Sequence, residues 1–274
     1  MQYNLTVRVQ CACNAYCQSL TTTPYDAHRN AMRSAMYCVC VSAVNSGDIM
    51  PVILVGSIKG GVGKSTTALA LSSEIRSAGQ TVHIIDTDPQ NSLYRWYEDW
   101  KLKDRIVIED GHRMSQKQLE TAVYEASREH PFVIVDVKGA MNEAILHATR
   151  QADLLVIPQR ASAADLERSI EFLDQMEFIE SARRRPLPHR VVFTQRSAAI
   201  MSRADREIMD QTREAVEVFS SELFQGDAYK AMFLYRMTLE ELDAHGLSRT
   251  ERARQQVQSL LREIVAIIKG AQQA

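Results

Sequence analysis

The chain has 274 residues, of which 45% are hydrophobic and 24% are charged, a composition typical of a globular protein with room for one large α/β domain and an appendage. The formal net charge of −2 argues against a protein coated in nucleic acid, but it is compatible with a local basic patch. No apolar run is long enough to span a membrane and no secretory signal is evident, so we expect a cytosolic protein.

The first 49 residues differ from the rest because they lack the periodicity of helices and strands. Met50 and Pro51 then lead directly into an apolar run. We therefore predict that residues 1–49 are a disordered tail or a non-native extension of the reading frame, and that residues 50–274 form the domain. All five cysteines of the chain lie within residues 1–49, at positions 11, 13, 17, 38 and 40. Their spacings do not match common zinc sites, so a metal site is only a minor alternative.

A glycine-rich loop follows the first predicted strand and precedes a predicted helix that begins near residue 65. The loop reads Lys59-Gly60-Gly61-Val62-Gly63-Lys64-Ser65-Thr66. Strand, glycine loop and helix in this order form a phosphate-binding loop, where backbone N–H groups and the helix N-terminus face phosphate oxygens. We expect Lys64 to neutralise the β- and γ-phosphates and the Ser65 hydroxyl to ligate Mg²⁺.

The loop departs from the general P-loop pattern at its start. Ile58 stands where G-x-x-x-x-G-K-[ST] has glycine, and Lys59 adds a second lysine. In this form, K-G-G-x-G-K-[ST], the loop resembles that of the ParA/MinD family of P-loop ATPases. The resemblance implies an ATP-bound homodimer in which Lys59 reaches the partner's nucleotide in trans. Lys59 and Lys64 would then both stabilise charge on the transferring phosphoryl group.

Short apolar runs alternate with helical patterns from residue 52 onward. Strands are predicted at 52–57, 81–86, 105–109, 132–136, 153–158 and 190–194. Helices are predicted at 65–78, 92–101, 115–129, 141–150, 162–180, 202–215 and 249–269. This alternation predicts an α/β fold, a single doubly wound and mostly parallel sheet with helices on both faces, as in P-loop NTPases.

Three aspartates follow predicted strands, at the edge of the sheet where nucleotides bind. The second strand ends in Asp86-Thr87-Asp88-Pro89-Gln90 and the fourth in Asp136. The ParA/MinD family has D-x-D-P-Q and a Walker B aspartate at these places. Because Mg²⁺ prefers oxygen ligands, Asp86 and Asp136 are candidates to hold it through water, and by resemblance Asp88 orients the attacking water. The alternative for each is a helix cap or a turn residue.

The residues around these aspartates indicate which branch of the ParA/MinD family the chain resembles. The run from Pro89 to Trp96 is similar to the D-P-Q-x-S-x-x-x-W pattern of small plasmid-partition ATPases of the ParF kind. Segments 152–158 and 193–203 look similar to the same partition ATPases, and they also resemble the T-DNA transfer ATPase that recruits relaxosomes to the cell pole. Lys138 departs from the small residues or proline that the family usually has there, and a solvated lysine is favoured over one that approaches the nucleotide. The aromatic residues after the motif predict packing of a helix on the core rather than base stacking: Tyr94, Trp96, Tyr97 and Trp100.

The C-terminal part carries the candidate contacts to nonspecific DNA, which ParA-like dimers bind through basic residues. The candidates are Arg203, Arg206, Arg213, Arg236, Arg249, Arg252, Arg254 and Arg262. The alternative is a solvated helix face with pairs such as Glu251 and Arg254. An apolar stripe on the last helix predicts packing on the sheet rather than a MinD-like membrane anchor: Val257, Leu260, Leu261, Ile264 and Ile268.

The resemblance implies an Mg²⁺-dependent ATPase for DNA partition or positioning. An ATP-bound dimer binds nucleoid DNA, and a small centromere-binding or adaptor protein stimulates hydrolysis to segregate a plasmid or chromosome. Two alternatives are recruitment of a conjugative or T-DNA transfer complex and a membrane-associated MinD-like role. A related iron–sulfur reductase would need bridging cysteines after the P-loop, and the chain has none after Cys40. A small-molecule ligase or kinase would need a substrate pocket that the sequence does not reveal.

Overall fold

The computed structural model describes residues 50–137, 150–181, 187–196 and 201–273. The strands in these ranges are β1 (Val52–Gly56), β2 (Val82–Asp86), β3 (Ile106–Asp110), β4 (Phe132–Val137), β5 (Leu154–Gln159), β6 (His189–Arg196) and β7 (Leu223–Phe224). The helices are α1 (Lys64–Ser77), α2 (Ser92–Asp99), α3 (Gln116–Glu129), α4 (Ala163–Ser181), α5 (Arg203–Ala215), α6 (Asp227–Tyr235), α7 (Leu239–Ala244) and α8 (Glu251–Gln273). The predicted alternation of strands and helices is confirmed.

The seven strands form one parallel sheet in the order β3-β2-β4-β1-β5-β6-β7. The chain first runs outward from β1 towards β3 and then crosses to the other half of the sheet through β4 and β5. Strand β1 is therefore the central strand, flanked by β4 and β5. Ligands of open α/β sheets bind beyond the carboxyl ends of strands where the direction of winding reverses, and the glycine loop follows β1 at this point.

The alternation of side chains along β1 supplies both faces of the sheet with core residues. Ile53 and Val55 pack with α1, α2, α6, α7 and α8 on one face. Val52 and Leu54 belong to the core on the other face, which is covered by α3, α4 and α5. Every residue of β1 is buried, as expected for a parallel strand covered on both sides.

Helix α8 packs its predicted apolar stripe into the first of these cores. Val257, Leu260, Leu261 and Ile264 are fully buried and Ile268 is 2% exposed. A buried ionic contact joins α8 to α1: Arg254 Nε lies 2.9 Å from Glu74 Oε1. The expected packing of this stripe on the domain is confirmed. No helix in the described part of the chain is long and apolar enough to cross a membrane.

The aromatic cluster of α2 also packs on the core, as predicted. Trp96 and Trp100 are buried and stacked with their ring centroids 5.2 Å apart. Trp96 Nε1 donates to the Met232 carbonyl oxygen at 2.7 Å, and Trp100 Nε1 donates to Glu241 Oε2 at 2.9 Å. These bonds satisfy both indole N–H groups and tie α2 to α6 and α7.

The region between α5 and α8 differs from the prediction, because β7, α6 and α7 have no predicted counterpart. They are only two, nine and six residues long, so none offers a sustained periodic pattern. One local signal marks α7: Thr238 and Glu241 form a reciprocal capping box at its N-terminus. The predicted helix 141–150, the segment 1–49 and Lys138 lie outside the described residues, apart from position 150.

Candidate nucleotide-binding site

The glycine loop has the backbone conformation that phosphate binding requires. Gly61 and Gly63 have φ angles of 74° and 98°, in the left-handed region that favours glycine. Among the described residues, no other group lies within 4 Å of where a Cβ atom would stand on Gly60 or Gly61, so this part of the structure leaves space for a ligand beside both. Ile58, at the position where the general pattern has glycine, packs against the core on the α3 side. The departure from the general pattern is therefore accommodated by apolar packing.

The end of β6 holds this loop from the side. Thr194 Oγ1 donates to the Val62 carbonyl oxygen at 2.7 Å. Gln195, with a left-handed φ of 54°, donates from Nε2 to the Gly61 carbonyl oxygen at 2.8 Å. Sequence reasoning identified neither residue as part of the site. Their position at the end of a strand next to β5 was the only available signal, since the contact spans more than 130 residues of sequence.

The two lysines of the loop lie in different environments. Lys64 is buried, and its Nζ donates to the Lys59 carbonyl oxygen at 3.1 Å. The Lys59 side chain is 29% exposed and forms an ion pair with Asp165 in the first turn of α4. Lys64 thus lies inside the loop where phosphates would bind, whereas Lys59 lies at its rim.

Asp165 is a site residue that the sequence analysis missed. Its side chain is 1% exposed, and its second carboxylate oxygen accepts from both Nε and the backbone N–H of Arg160, at 3.1 and 3.0 Å. Burial opposes ionisation of this carboxyl, but hydrogen bonds from Lys59, Arg160 and Ser162 lower its pKa below the ordinary value. An aspartate in the first turn of a helix after a buried strand is common as a cap, so it gave no distinctive signal.

Ser65 and Asp136, two of the residues predicted to hold Mg²⁺, lie in contact with each other. Ser65 Oγ donates to Asp136 Oδ2 at 2.5 Å. Asp136 is fully buried, and this burial raises its pKa to about 7 although the Ser65 hydrogen bond acts in the opposite direction. Its Oδ1 atom is buried and has no hydrogen-bond partner among the described residues. A buried carboxylate with one unsatisfied oxygen next to a serine hydroxyl fits the donor set that Mg²⁺ prefers.

Asp86 lies beside Asp136 in the register of β2 and β4, but its carboxylate has other partners. Oδ2 accepts from the backbone N–H groups of Leu93 and Tyr94 at 3.0 and 3.2 Å, and Oδ1 accepts from the backbone N–H of Asp88 at 3.1 Å. Burial raises the pKa of Asp86, and these bonds oppose the shift. This geometry matches the helix-cap alternative, because the carboxylate holds the N-terminus of α2. A role in holding Mg²⁺ stays a prediction.

Asp88 lies in the loop that Asp86 fixes. It is half-buried, and its Oδ1 accepts from the backbone N–H of Gln90 at 2.9 Å. A further carboxylate that the sequence analysis did not identify, Asp110, ends β3 in register with Asp86. His112 Nδ1 lies 2.5 Å from Asp110 Oδ1. The ends of β3, β2 and β4 therefore bring three aspartates into one row beside the glycine loop.

The candidate DNA-binding arginines separate into two groups. Arg254 contacts the buried Glu74 as well as Ser77, and Arg236 pairs with Asp99 at 3.1 Å. Arg262 is half-buried and bonds to residues of its own helix. The remaining five are exposed: Arg203, Arg206, Arg213, Arg249 and Arg252. Of this last group, Arg252 lies over the ring of Phe224 at 4.6 Å, and Arg213 pairs with Asp210 at 2.9 Å.

Comparisons with known proteins agree with this fold and loop. Residues 50–271 match the family model described as VirC1 protein. The protein ParA of Rhizobium radiobacter is 32% identical over 194 residues, which cover 70% of this chain and 86% of ParA. The protein virC1 of the same species is 22% identical over 182 residues, or 64% of this chain and 77% of virC1. A Cyanothece McdA variant solved in complex with ATP has a TM-score of 0.64 at 19% identity, covering 82% of this chain and 98% of McdA, which is a likeness of fold.

Proposed function

The chain belongs to the VirC1 family, within the ParA/MinD-type P-loop ATPases, and from this premise we propose that it is an ATP-driven DNA-positioning protein. The observation that carries the proposal is the different placement of the two lysines in one loop. Lys64 is buried among the backbone groups that would surround phosphates, while Lys59 lies at the rim with part of its side chain exposed. A generic nucleotide hydrolase needs the first lysine; a lysine at the rim is suited to act on a second subunit.

Binding of the nucleotide would use groups that are already oriented. The N-terminus of α1 and the backbone N–H groups of the loop would supply the donors for phosphate oxygens, beside the space that is open at Gly60 and Gly61. Lys64 Nζ would exchange the Lys59 carbonyl oxygen for phosphate oxygens. Mg²⁺–ATP supplies the divalent charge and the transferable phosphoryl group. Ser65 and the free oxygen of Asp136 are the groups that would hold the metal, and its charge would favour the ionised form of Asp136.

Hydrolysis would depend on how the Asp88 loop is held. Asp86 fixes this loop through its bonds to the N-terminus of α2, which leaves Asp88 with little conformational freedom. Asp88 is our candidate for orienting the attacking water, and its Oδ2 atom is not used in the turn bond to Gln90. Lys64 within the subunit and Lys59 from the partner would stabilise charge on the transferring phosphoryl group.

The five exposed arginines are our candidates for binding nonspecific DNA. Contacts to phosphates need clustered cations rather than a particular fold, and four of the five stand on α5 or at the start of α8, with Arg249 just before that helix. The net charge of −2 does not oppose this, because only the local charge distribution matters. The dimer would then be nucleoid-associated in the cytoplasm.

The partner and cargo follow from the family resemblance. We propose a small centromere-binding or adaptor protein that stimulates hydrolysis, with a plasmid or chromosome as cargo. A second candidate cargo is a DNA-transfer complex, because segments 152–158 and 193–203 resemble a T-DNA transfer ATPase as well as the partition ATPases. Neighbouring genes discriminate the two: a small DNA-binding protein favours partition, and transfer genes favour recruitment. A MinD-like anchor is disfavoured because the apolar stripe of α8 is buried.

Sedimentation with ATP or ADP tests the proposal directly. We expect Asp88→Ala protein to be dimeric with ATP and monomeric with ADP, and the ATP form to retain nonspecific duplex DNA in a salt-sensitive way. Lys59→Ala should abolish dimerisation, whereas Lys117→Ala, at an exposed lysine on α3, should not. A monomer with ATP, or a dimer that persists without Lys59, would leave only a generic nucleotide hydrolase.

A further inference from the structure

The ion pair between Lys59 and Asp165 would have to break before Lys59 could reach the nucleotide of a partner subunit. In a single subunit Lys59 contacts Asp165, whose side chain is 1% exposed. A lysine that moves to a partner's nucleotide must leave this carboxylate. An ionised carboxylate that is buried and loses its only cation is strongly disfavoured. The pair would then hold Lys59 in place and resist the dimer.

Arg160 removes much of this obstacle. Lys59 contacts Asp165 Oδ1, whereas Arg160 contacts the other oxygen, Oδ2, through Nε at 3.1 Å and its backbone N–H at 3.0 Å. The two cations therefore do not compete for the same atom. Asp165 N also donates to Ser162 Oγ at 3.2 Å, which fixes the carboxylate in the first turn of α4. When Lys59 leaves, Asp165 keeps one guanidinium, one backbone N–H and the helix N-terminus.

We infer that Arg160 is a positioning residue that sets how readily Lys59 leaves Asp165, and through it the nucleotide concentration at which two copies of this chain pair. The trans role of Lys59 rests on the proposed function, but the sharing of Asp165 between the two cations is a property of the single subunit. Arg160 acts only through Asp165. Its effect therefore disappears when Asp165 loses its charge.

Chemical labelling of Lys59 tests this sharing without nucleotide. An amine-acetylating reagent is applied to the full chain, and the rate at Lys59 is measured by mass spectrometry. In Arg160→Gln, Lys59 is the only side-chain cation left on Asp165 among the described residues, so we expect acetylation at Lys59 to slow by about threefold or more. Arg160→Lys should restore the wild-type rate. Arg168→Gln on α4, where Arg168 pairs with Glu171 in solvent, is the control and should not change this rate.

The second measurement is ATP-dependent dimerisation by sedimentation. Arg160→Gln should raise the ATP concentration for half-maximal dimer formation by about tenfold. This change corresponds to the usual free-energy contribution of a charge-assisted hydrogen bond. Asp165→Asn should lower it, and Arg160→Gln combined with Asp165→Asn should behave like Asp165→Asn alone in both assays. An unchanged labelling rate in Arg160→Gln, or a slowing that persists with Asp165→Asn, overturns the inference. A wild-type chain that never dimerises with ATP refutes the proposed function instead, while labelling still decides the role of Arg160.

Discussion

The Ser65 hydroxyl donates to Asp136 Oδ2 at 2.5 Å, joining the first turn of α1 to the end of β4. This bond brings together two residues that lie 71 positions apart in sequence. It satisfies only one oxygen of a fully buried carboxyl, and the other has no partner in the described ranges. Burial of this carboxyl therefore disfavours its ionised form, and a bound cation would offset that cost.

Asp136→Asn tests this relationship through the pH dependence of stability. Burial raises the folded-state pKa to about 7 from the ordinary 3.8, so the folded protein binds more protons than the unfolded chain between these values. Wild-type stability therefore falls as pH rises through this window and levels off above 7. We expect the stabilisation by Asn, measured by urea unfolding without nucleotide, to be larger at pH 8 than at pH 5 by about 2 kcal/mol. ATPase activity should be lost.

The matched control for this variant is Asp227→Asn, because the Asp227 side chain is almost fully exposed. It should leave both the stability difference and the turnover unchanged. A stability gain from Asp136→Asn that does not vary with pH would contradict a buried, cation-free carboxyl at this position.

His83 should affect stability with a pH dependence opposite to that of Asp136. Its ring lies 5.0 Å from that of His130, and Nε2 is 3.1 Å from Glu109 Oε2. Burial, together with the nearby His130, lowers the pKa of His83 below 6.5, and Glu109 only partly offsets this. The neutral ring is favoured in the folded state, so its contribution is complete above pH 6.5 and is lost as pH falls below that value.

His83→Gln should remove this acid-dependent loss. We expect the variant to gain about 1 kcal/mol relative to wild type between pH 7.5 and pH 5 in urea unfolding. His245→Gln serves as the control, since His245 is exposed. If the two variants show the same pH dependence, the acid sensitivity arises elsewhere in the chain.

Arg254 stabilises the fold through a buried ion pair, unlike the exposed arginines that are candidate DNA contacts. Its guanidinium pairs with Glu74, which is completely buried and whose pKa burial raises while Arg254 opposes the shift. Removing one partner of a buried pair leaves an uncompensated group, so Arg254→Ala should destabilise the fold by about 3 kcal/mol. Adding Glu74→Gln should recover part of the loss in urea unfolding. Recovery of none would indicate that the packing of the Arg254 side chain, rather than its charge, stabilises α1 against α8.

The exposed arginines should instead affect DNA binding without affecting stability. Arg206→Gln and Arg252→Gln should each weaken retention of nonspecific duplex DNA by the ATP form and reduce the slope of log affinity against log salt by about 1. Arg168→Gln, at an exposed arginine on α4, is the control. An unchanged salt slope in both variants would remove α5 and the start of α8 from the candidate surface.

Gln195 is expected to act on nucleotide binding rather than on turnover. Gln195→Ala loses the bond to the Gly61 carbonyl oxygen but keeps the strand, because Thr194 still bonds to Val62. We predict a KM for ATP that rises about threefold with kcat nearly unchanged, since a loop that is less well ordered binds phosphates more weakly in both ground and transition states. A fall in kcat at constant KM would place Gln195 in the chemical step instead.

The order of motifs along the sequence predicts that nucleotide binds at one edge of the sheet. Residues 59–66 and Asp88 follow strands, while Asp86 and Asp136 lie at the carboxyl ends of β2 and β4. Parallel strands bring these ends to one edge of the sheet. This is a local rule applied several times, so it needs no knowledge of long-range contacts. The apolar stripe of α8 and the packing of Trp96 were predictable for a similar reason, because helical periodicity is written in neighbouring residues.

Other features depended on which distant residues the fold brings together. Nothing in the sequence distinguishes Asp165 from the other acidic residues, of which the chain has 34 in all. Only the fold places it on α4 against Lys59, 106 positions earlier. The same holds for Gln195 on the loop and for Arg254 on Glu74, both contacts across more than 130 residues. The sequence by itself determined six of the seven strands in the described ranges, the glycine loop and the places of Asp86, Asp88 and Asp136 at strand ends, because their signals are short-range patterns. Only the tertiary structure decided which charges are buried and paired, because desolvation and pairing depend on every element packed around a side chain.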